Sequence, residues 1–444
     1  MKPTLLRHLI AAALASGAMT ANAENLLEAY RLAQQNDMSL AQSEAGYRAS
    51  LEKRSQGTGQ LLPTLTASAS HYSVNQEVLQ PAPPVTRTYD NDSYAITLTQ
   101  PLFRMSNFAA YSQGKAYASQ AEADLAIAQG DLIMRVTQTY FDVLAAEDAL
   151  NLARTEKAAI DGQRRLSERN FAVGNATMVD MQEARARFDV ANAQEVSAAN
   201  DLEIKREALA MLIRNRPGAL ARLIWEGEYV QPDPKDVEAW LKIADDHNPL
   251  IKSQEFALRA TEEEVAKNRG GHYPTVDLVA MRSYNKTGMF SSPATFEYNT
   301  NQVGVQLQVP LFSGGITQSR VREAVARQDQ ARATLELTKR TVARLTREAW
   351  LASTGGIARA QALYQAASSS RKALEATLIG YESGQRTGVD VLNAQQNLYR
   401  TERDLSQARY QYVLSMLRLK MAAGTLSEAD LVFINNRLVQ AENP

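Results

Sequence analysis

Apolar and polar positions along this chain follow two different periods. Val303, Val305, Leu307 and Val309 alternate with Gly304, Gln306 and Gln308, a strand period with apolar side chains on one face only. Val276, Leu278 and Ala280 alternate with Asp277, Val279 and Met281. In the first half, Leu65, Ala67 and Ala69 alternate with Thr66, Ser68 and Ser70, and Tyr94, Ile96 and Leu98 with Ala95, Thr97 and Thr99. The pattern predicts two strand hairpins, over 64–102 and 275–311. It fits a small sheet packed on helices, and it equally fits a membrane barrel, apolar outward and polar toward a lumen. Four strands leave open edges that invite pairing with another chain. A membrane barrel has to close, and three chains would supply twelve strands around an open lumen. Glu77–Asn91 and Asn285–Asn301 are polar and rich in breakers, so both are expected as long hairpin loops. Tyr72, Tyr94, Phe103, Tyr284, Tyr298 and Phe312 flank the strands, as an interfacial belt or as ordinary strand composition.

The remaining pattern is helical. None of the 14 prolines lies between Pro101 and Pro217 or between Pro310 and Pro444, and both intervals are rich in good helix formers. Ser106 to about Phe171 can run unbroken, roughly 100 Å at 1.5 Å per residue. A shorter helix is expected over about 177–216. The second half repeats this with a long helix to about 383 and a shorter one over about 388–423. In the last helix Val391, Leu398, Leu405, Tyr412 and Leu419 recur every seventh residue, each followed three positions later by a small one: Ala394, Thr401, Ala408, Ser415 and Ala422. This is a coiled-coil seam that lets helices approach closely. The matching helix of the first half carries Met181, Phe188, Leu202 and Leu209, with Glu195 breaking the series.

The two halves repeat each other. Leu62-Pro63-Thr64-Leu65 matches Tyr273-Pro274-Thr275-Val276, Gln100-Pro101-Leu102-Phe103 matches Val309-Pro310-Leu311-Phe312, and Phe171-Ala172-Val173-Gly174 matches Tyr381-Glu382-Ser383-Gly384. The offset stays between 209 and 211. A duplication follows, with the plan helix, strand hairpin, very long helix, turn, helix. Repeats are expected at 24–216 and 241–423, joined by a linker over 217–240 and followed by a segment over 424–444. Pro63, Pro101, Pro274 and Pro310 punctuate the places where the two periods meet.

Composition narrows the chemistry. Charge is balanced, 48 Lys+Arg against 49 Asp+Glu, which argues against nucleic acid as a partner. Cysteine is absent, and the four His residues are not at metal-ligand spacing, so neither thiolate chemistry nor a metal or other cofactor is expected. Residues 1–23 read as a secretory signal: Lys2 and Arg7, a short apolar run from Leu9 to Ala18, then Ala21-Asn22-Ala23. Beyond it no apolar stretch is long enough for a transmembrane helix. No Ser-His-Asp pattern or phosphate loop suggests an enzyme.

The string Tyr381-Glu382-Ser383-Gly384-Gln385-Arg386-Thr387-Gly388-Val389-Asp390-Val391-Leu392-Asn393-Ala394 resembles the signature of the TolC family of outer-membrane efflux channels. So does Ala423-Gly424-Thr425-Leu426-Ser427-Glu428-Ala429-Asp430-Leu431, and the likeness extends over nearly the whole mature chain. It implies an α+β protomer of a homotrimer, with a twelve-stranded β-barrel continued by a long α-helical coiled-coil barrel. It implies a place among outer-membrane lipid, reaching into the periplasm of a Gram-negative bacterium. The linker and the segment after Gly424 would form an equatorial belt. A periplasmic adaptor and an inner-membrane pump, of the resistance-nodulation-division or ABC type, would dock for multidrug efflux and type I protein secretion. The alternative is a periplasmic coiled-coil adaptor or scaffold of such an assembly, although adaptors lack the duplicated plan. By resemblance, Tyr381 and Arg386 hold the entrance closed through hydrogen bonds and salt bridges, Asp180 supplies a partner carboxylate on the first repeat, Val179 belongs to the same gate or constriction, and Asp390 forms an acidic ring. Where the family has a second carboxylate this chain has Asn393, which implies one ring of three carboxylates and weaker cation selectivity.

Overall fold

The computed structural model describes residues 25–80, 83–223, 229–290 and 292–439. The expected leader at 1–23 lies outside the described residues. The chain forms two compact units, one of residues 43–126 and 249–340, the other of residues 1–42, 127–248 and 341–444.

The first unit holds the sheet. Strands β1 (Thr64–Val78), β2 (Val85–Phe103), β4 (Thr275–Met289) and β5 (Ser292–Gln308) are antiparallel in the order β1-β2-β4-β5, while the short strand β3 (Arg222–Leu223) belongs to the other unit. Cross-strand partners share a face. Leu65, Leu98, Ala280 and Val303 form one such row, and Leu278 with Val305 and Val276 with Leu307 continue it downward. Val303, Val305 and Leu307 are 77%, 64% and 63% exposed, so this apolar face is not covered by the chain's own helices. The opposite face carries Thr66, Thr97, Gln302 and Gln306. Pro63 and Pro274 stand immediately before β1 and β4; Pro101 marks the register shift near the end of β2; Pro310 follows β5. Arg104 makes a two-pronged bond to Asp277, at 2.8 and 2.5 Å, fastening the end of β2 to β4.

The hairpin loops are much shorter than the polar stretches led us to expect. Strand pairing runs out to Val78↔Val85 and Met289↔Ser292. The backbone ladder continues past the apolar alternation because polar side chains also pair across it. Tyr89 donates to Gln76 at 2.7 Å and Ser93 to Asn285 at 2.9 Å. His71 meets Asp92 at 2.6 Å and Lys286 meets Glu297 at 3.6 Å. At 19 residues β2 is far longer than an ordinary strand of about 5–6.

Helices supply the rest. They are α1 (Leu26–Asn36), α2 (Met38–Gly59), α3 (Met105–Ala172), α4 (Met178–Ile213), α5 (Val237–His247), α6 (Pro249–Arg269), α7 (Ile316–Glu382), α8 (Gly388–Ala422) and α9 (Glu428–Asn435). With 68 and 67 residues, α3 and α7 are several times the usual helix length, as proline-free runs of Ala, Gln, Glu and Arg allow.

In the second unit the heptad seam of α8 is the core. Val391, Leu398, Leu405, Tyr412 and Leu419 are all buried, each fully buried apolar side chain contributing roughly 1.5–3 kcal/mol. Phe141 of α3 packs against Tyr410, ring centroids 5.6 Å apart. Tyr410 and Ser406 both donate to one oxygen of Asp148, at 2.9 and 2.6 Å. Glu195 breaks the seam of α4 for a reason the spacing does not show: it meets Lys157 at 2.9 Å and Arg154 at 3.4 Å on α3. Lys157 accordingly holds the Glu195 carboxyl below the usual range.

The linker and the C-terminal segment meet. β3 (Arg222–Leu223) pairs with β6 (Leu438–Val439), Trp240 packs on Leu419 and Ala423, and Tyr412 donates to the Val230 carbonyl at 2.9 Å. α5 begins at Val237, inside the stretch expected as linker.

Candidate entrance gate

Two turns, one in each half, join a very long helix to a shorter one. Gly174 stands two residues past the end of α3 at φ +77°, and Gly384 two residues past the end of α7 at φ +76°. Only glycine takes this left-handed conformation without strain. The bonds that close the turns correspond one to one. Gly174 N–H donates to Phe171 O (3.0 Å) and Asn175 N–H to Asn170 O (2.7 Å); Gly384 N–H donates to Tyr381 O (3.1 Å) and Gln385 N–H to Gly380 O (2.8 Å). This is a Schellman closure, made twice.

The helices that follow start alike. Thr177 caps α4 and Thr387 caps α8, each accepting from the N–H of the residue three on, Asp180 or Asp390. Each aspartate returns the bond through Oδ2 to the backbone N–H of its threonine, at 3.0 and 2.9 Å. Both carboxyls are therefore held below the usual range. The Thr177 hydroxyl is the main cause for Asp180; the Thr387 backbone N–H is the main cause for Asp390, with Arg386 adding a favourable charge. Their place in the first turn of a helix also favours the anion.

The remaining expected residues fall as follows. Tyr381 is half-buried, and its Oη accepts from Asn170 Nδ2 at 3.4 Å, a long bond between the first and second turns. Arg386 is exposed, and Val179 is 71% exposed. Asn393, also exposed, accepts at Oδ1 from Arg187 Nη2 of α4 at 3.3 Å. Tyr381 is thus joined to the first repeat through Asn170, and Asp180 is joined to its own capping threonine.

Several contributors were not visible in the sequence. Arg187 bridges α4 to α8 by reaching Gln396 at 3.0 Å as well as Asn393, and Glu183 at 3.4 Å holds it in place. Arg185 of α4 meets Glu168 of α3 at 2.8 Å, and Glu168 also takes Arg164 at 3.0 Å. Gln163 and Ser167 are buried against Gly388, where an added Cβ would stand 2.9 Å from Gln163 Nε2. The i,i+4 pairs Arg187–Glu183 and Arg164–Glu168 are readable from spacing, but the bonds between helices have no local signal, because their partners lie far away in sequence. A polar residue four positions before a turn glycine, as Asn170 is, was the nearest available hint.

The arrangement is a junction of helix ends fastened by polar bonds that a small displacement can break. It carries no metal-ligating cluster among the described residues. The fold, a duplicated unit of β-hairpin and long helix pair, is that of outer-membrane channels. It resembles the solved structures of VceC from Vibrio cholerae (TM-score 0.78, 21% identity, 90% of this chain and 96% of that one) and CmeC from Campylobacter jejuni (TM-score 0.79, 19% identity, 93% and 89%). The outer membrane efflux protein family matches residues 29–213 and 240–425, one match for each repeat, and the chain belongs to that family. Among its relatives is the outer membrane protein TolC of Vibrio cholerae, 33% identical over 440 residues and 99% of both chains. Another is the alkaline protease secretion protein AprF of Pseudomonas aeruginosa, 33% identical over 428 residues, 94% of this chain and 88% of the relative. The chain is an outer-membrane protein of this class.

Proposed function

We propose that three copies of this chain form the outer-membrane exit duct of an efflux and secretion assembly. The observation that carries this reading is the sheet: one bare apolar face, and β1 and β5 left as its edges. An open edge inside a membrane strands backbone groups without water, so the sheet needs partners. Three copies close it into twelve strands, and the long helices form the conduit. Membership of the outer membrane efflux protein family and kinship with a protease secretion protein support both efflux and protein cargo. A conduit that binds its cargo weakly needs a periplasmic adaptor and an energised inner-membrane pump to fill it.

The two glycine turns form the periplasmic entrance. Tyr381, linked to Asn170, and Arg386, beside Asp390, hold it shut. The capping bonds fall on Oδ2 of Asp180, so Oδ1 retains acceptor capacity for Tyr381 or Arg386 of a neighbouring copy. Val179 narrows the same level. The proposed domain plan follows: repeats over 24–216 and 241–423 with an equatorial belt from 217–240 and 424–444. Fractionation of cells expressing the full chain tests the duct. A heat-resistant trimer in the outer-membrane fraction is the expected result, and a soluble periplasmic species overturns it.

A further inference from the structure

The apolar face of the sheet is interrupted at Arg282. Its cross-strand partners are Ile96 on β2 and Asn301 on β5, which places it in the row directly above Leu98, Ala280 and Val303, toward the hairpin end. Its side chain is exposed, and Ile96 beside it is 54% exposed. One row further out Tyr94 faces Tyr284, their rings stacked at 6.1 Å. The row beyond that is charged, with His71, Asp92, Lys286 and Glu297 aligned across the sheet.

Dimensions fix the depth. Leu307 to Asn299 spans about 27 Å along β5, or about 20 Å in height for a strand tilted by about 40°. That approaches the apolar band of about 25 Å in membrane barrels, with the tyrosines at its upper rim. Arg282 lies about 5 Å below them, within reach of the headgroup level for an extended arginine. Among the described residues of the sheet nothing neutralises it. Ile96 is apolar, Asn301 is uncharged, and Asp92 and Glu297 lie beyond the tyrosines, engaged with His71 at 2.6 Å and Lys286 at 3.6 Å. β4 is flanked by β2 and β5 of the same chain, so a neighbouring copy brings no strand alongside Arg282. A guanidinium in that position matches the paired oxygens of a phosphate.

We propose that Arg282 holds a phosphate of an outer-leaflet lipid, whose headgroup rests against Tyr94 and Tyr284. The site rests on the reading of this face as lipid-exposed with its hairpins outward. Native mass spectrometry of the full-length assembly tests it, with bis-phosphorylated lipid A, the same lipid dephosphorylated, and inorganic phosphate as probes. The parent should retain the phosphorylated lipid about tenfold better than Arg282→Gln, with Arg282→Lys intermediate and the dephosphorylated lipid held poorly by all three. Equal retention by the parent and Arg282→Gln overturns the site. Equal retention of both lipids by the parent also does, and needs no variant to fold. Displacement of the lipid by millimolar inorganic phosphate would mark a free-anion site and overturn the lipid assignment. Failure of the duct reading appears separately, as a parent absent from the outer-membrane fraction.

Discussion

Arg187 of α4 donates to the side chain of Asn393 on α8 at 3.3 Å. Asn393, expected on resemblance to stand where a second carboxylate would be, therefore sits under a guanidinium. This changes what restoring the carboxylate should do. A ring of carboxylates attracts cations into a pore. In Asn393→Asp the new charge would face Arg187, which would neutralise most of it. We expect Asn393→Asp alone to alter block by a multivalent cation little, and Asn393→Asp with Arg187→Gln to lower the blocking concentration about tenfold in planar bilayers. If the single variant blocks as tightly as the double, Arg187 does not screen the position. If neither changes block, position 393 does not face the ion path.

Opening should follow loss of the polar bonds at the second turn. Tyr381→Phe removes the acceptor of Asn170, and Arg386→Ser removes the cation beside Asp390. The double variant should conduct several-fold more than the parent at the single-channel level. Asn170→Ala should reproduce the Tyr381→Phe part, because it removes the other end of the same bond. A double variant with parental conductance would place the gate elsewhere.

Much of this was legible from period alone. The heptad residues Val391 to Leu419 are buried as a seven-residue repeat requires, and the alternating segments are strands. Proline-free runs became helices because they are rich in good helix formers, which outweigh the few glycines within them, such as Gly355 and Gly356. At Glu77–Asn91 and Asn285–Asn301 the strands run on where loops are expected, since a side-chain pattern reports burial and a backbone ladder persists without it. Glu195 looked like a defect because its cations, Lys157 and Arg154, lie on another helix. Asp180 and Asp390 were expected as gate charges on resemblance. Their place three residues after Thr177 and Thr387 is itself a readable capping-box spacing. The bridge from Arg187 to α8 has no signal in the sequence, because its two acceptors there are more than 200 positions away; only its i,i+4 pairing with Glu183 is readable.

The capping boxes make the starts of α4 and α8 sensitive to acid. Asp180 and Asp390 both have depressed carboxyls, so their contribution is complete above the ordinary carboxylate range and is lost as pH falls through the depressed values. Protection of the amides of Thr177, Asp180, Thr387 and Asp390, measured as the intrinsic rate over the observed exchange rate at each pH, should be clear at neutral pH and fall toward strong acid in both segments, 177–180 and 387–390. Thr387→Ala should speed exchange in the second segment about fivefold at neutral pH while leaving the first unchanged. Exchange that is equally fast in the parent would show that the boxes do not hold the turns.

The last prediction concerns the ion pair of Asp37 and Arg135. Asp37 stands between α1 and α2 with its side chain only 5% exposed. It accepts from Arg135 Nη1 at 2.8 Å and Nη2 at 3.0 Å, and from the Leu40 N–H at 2.7 Å. The Arg135 bond is the main reason its carboxyl is held low. Arg135→Gln leaves a buried carboxylate without its cation, a loss of about 3–5 kcal/mol for a fully buried pair and less here, because the guanidinium is 40% exposed. The sign with pH follows from the depressed carboxyl. The pair stabilises above the ordinary carboxylate range, and the advantage of the parent over Arg135→Gln should vanish as acid protonates Asp37. Asp37→Asn combined with Arg135→Gln should recover part of the loss, since the buried charge is gone and the amide can still accept from Leu40. Thermal unfolding of the three proteins at neutral and acid pH measures this, and a gap between parent and Arg135→Gln that persists in strong acid would mean the two residues act through packing instead.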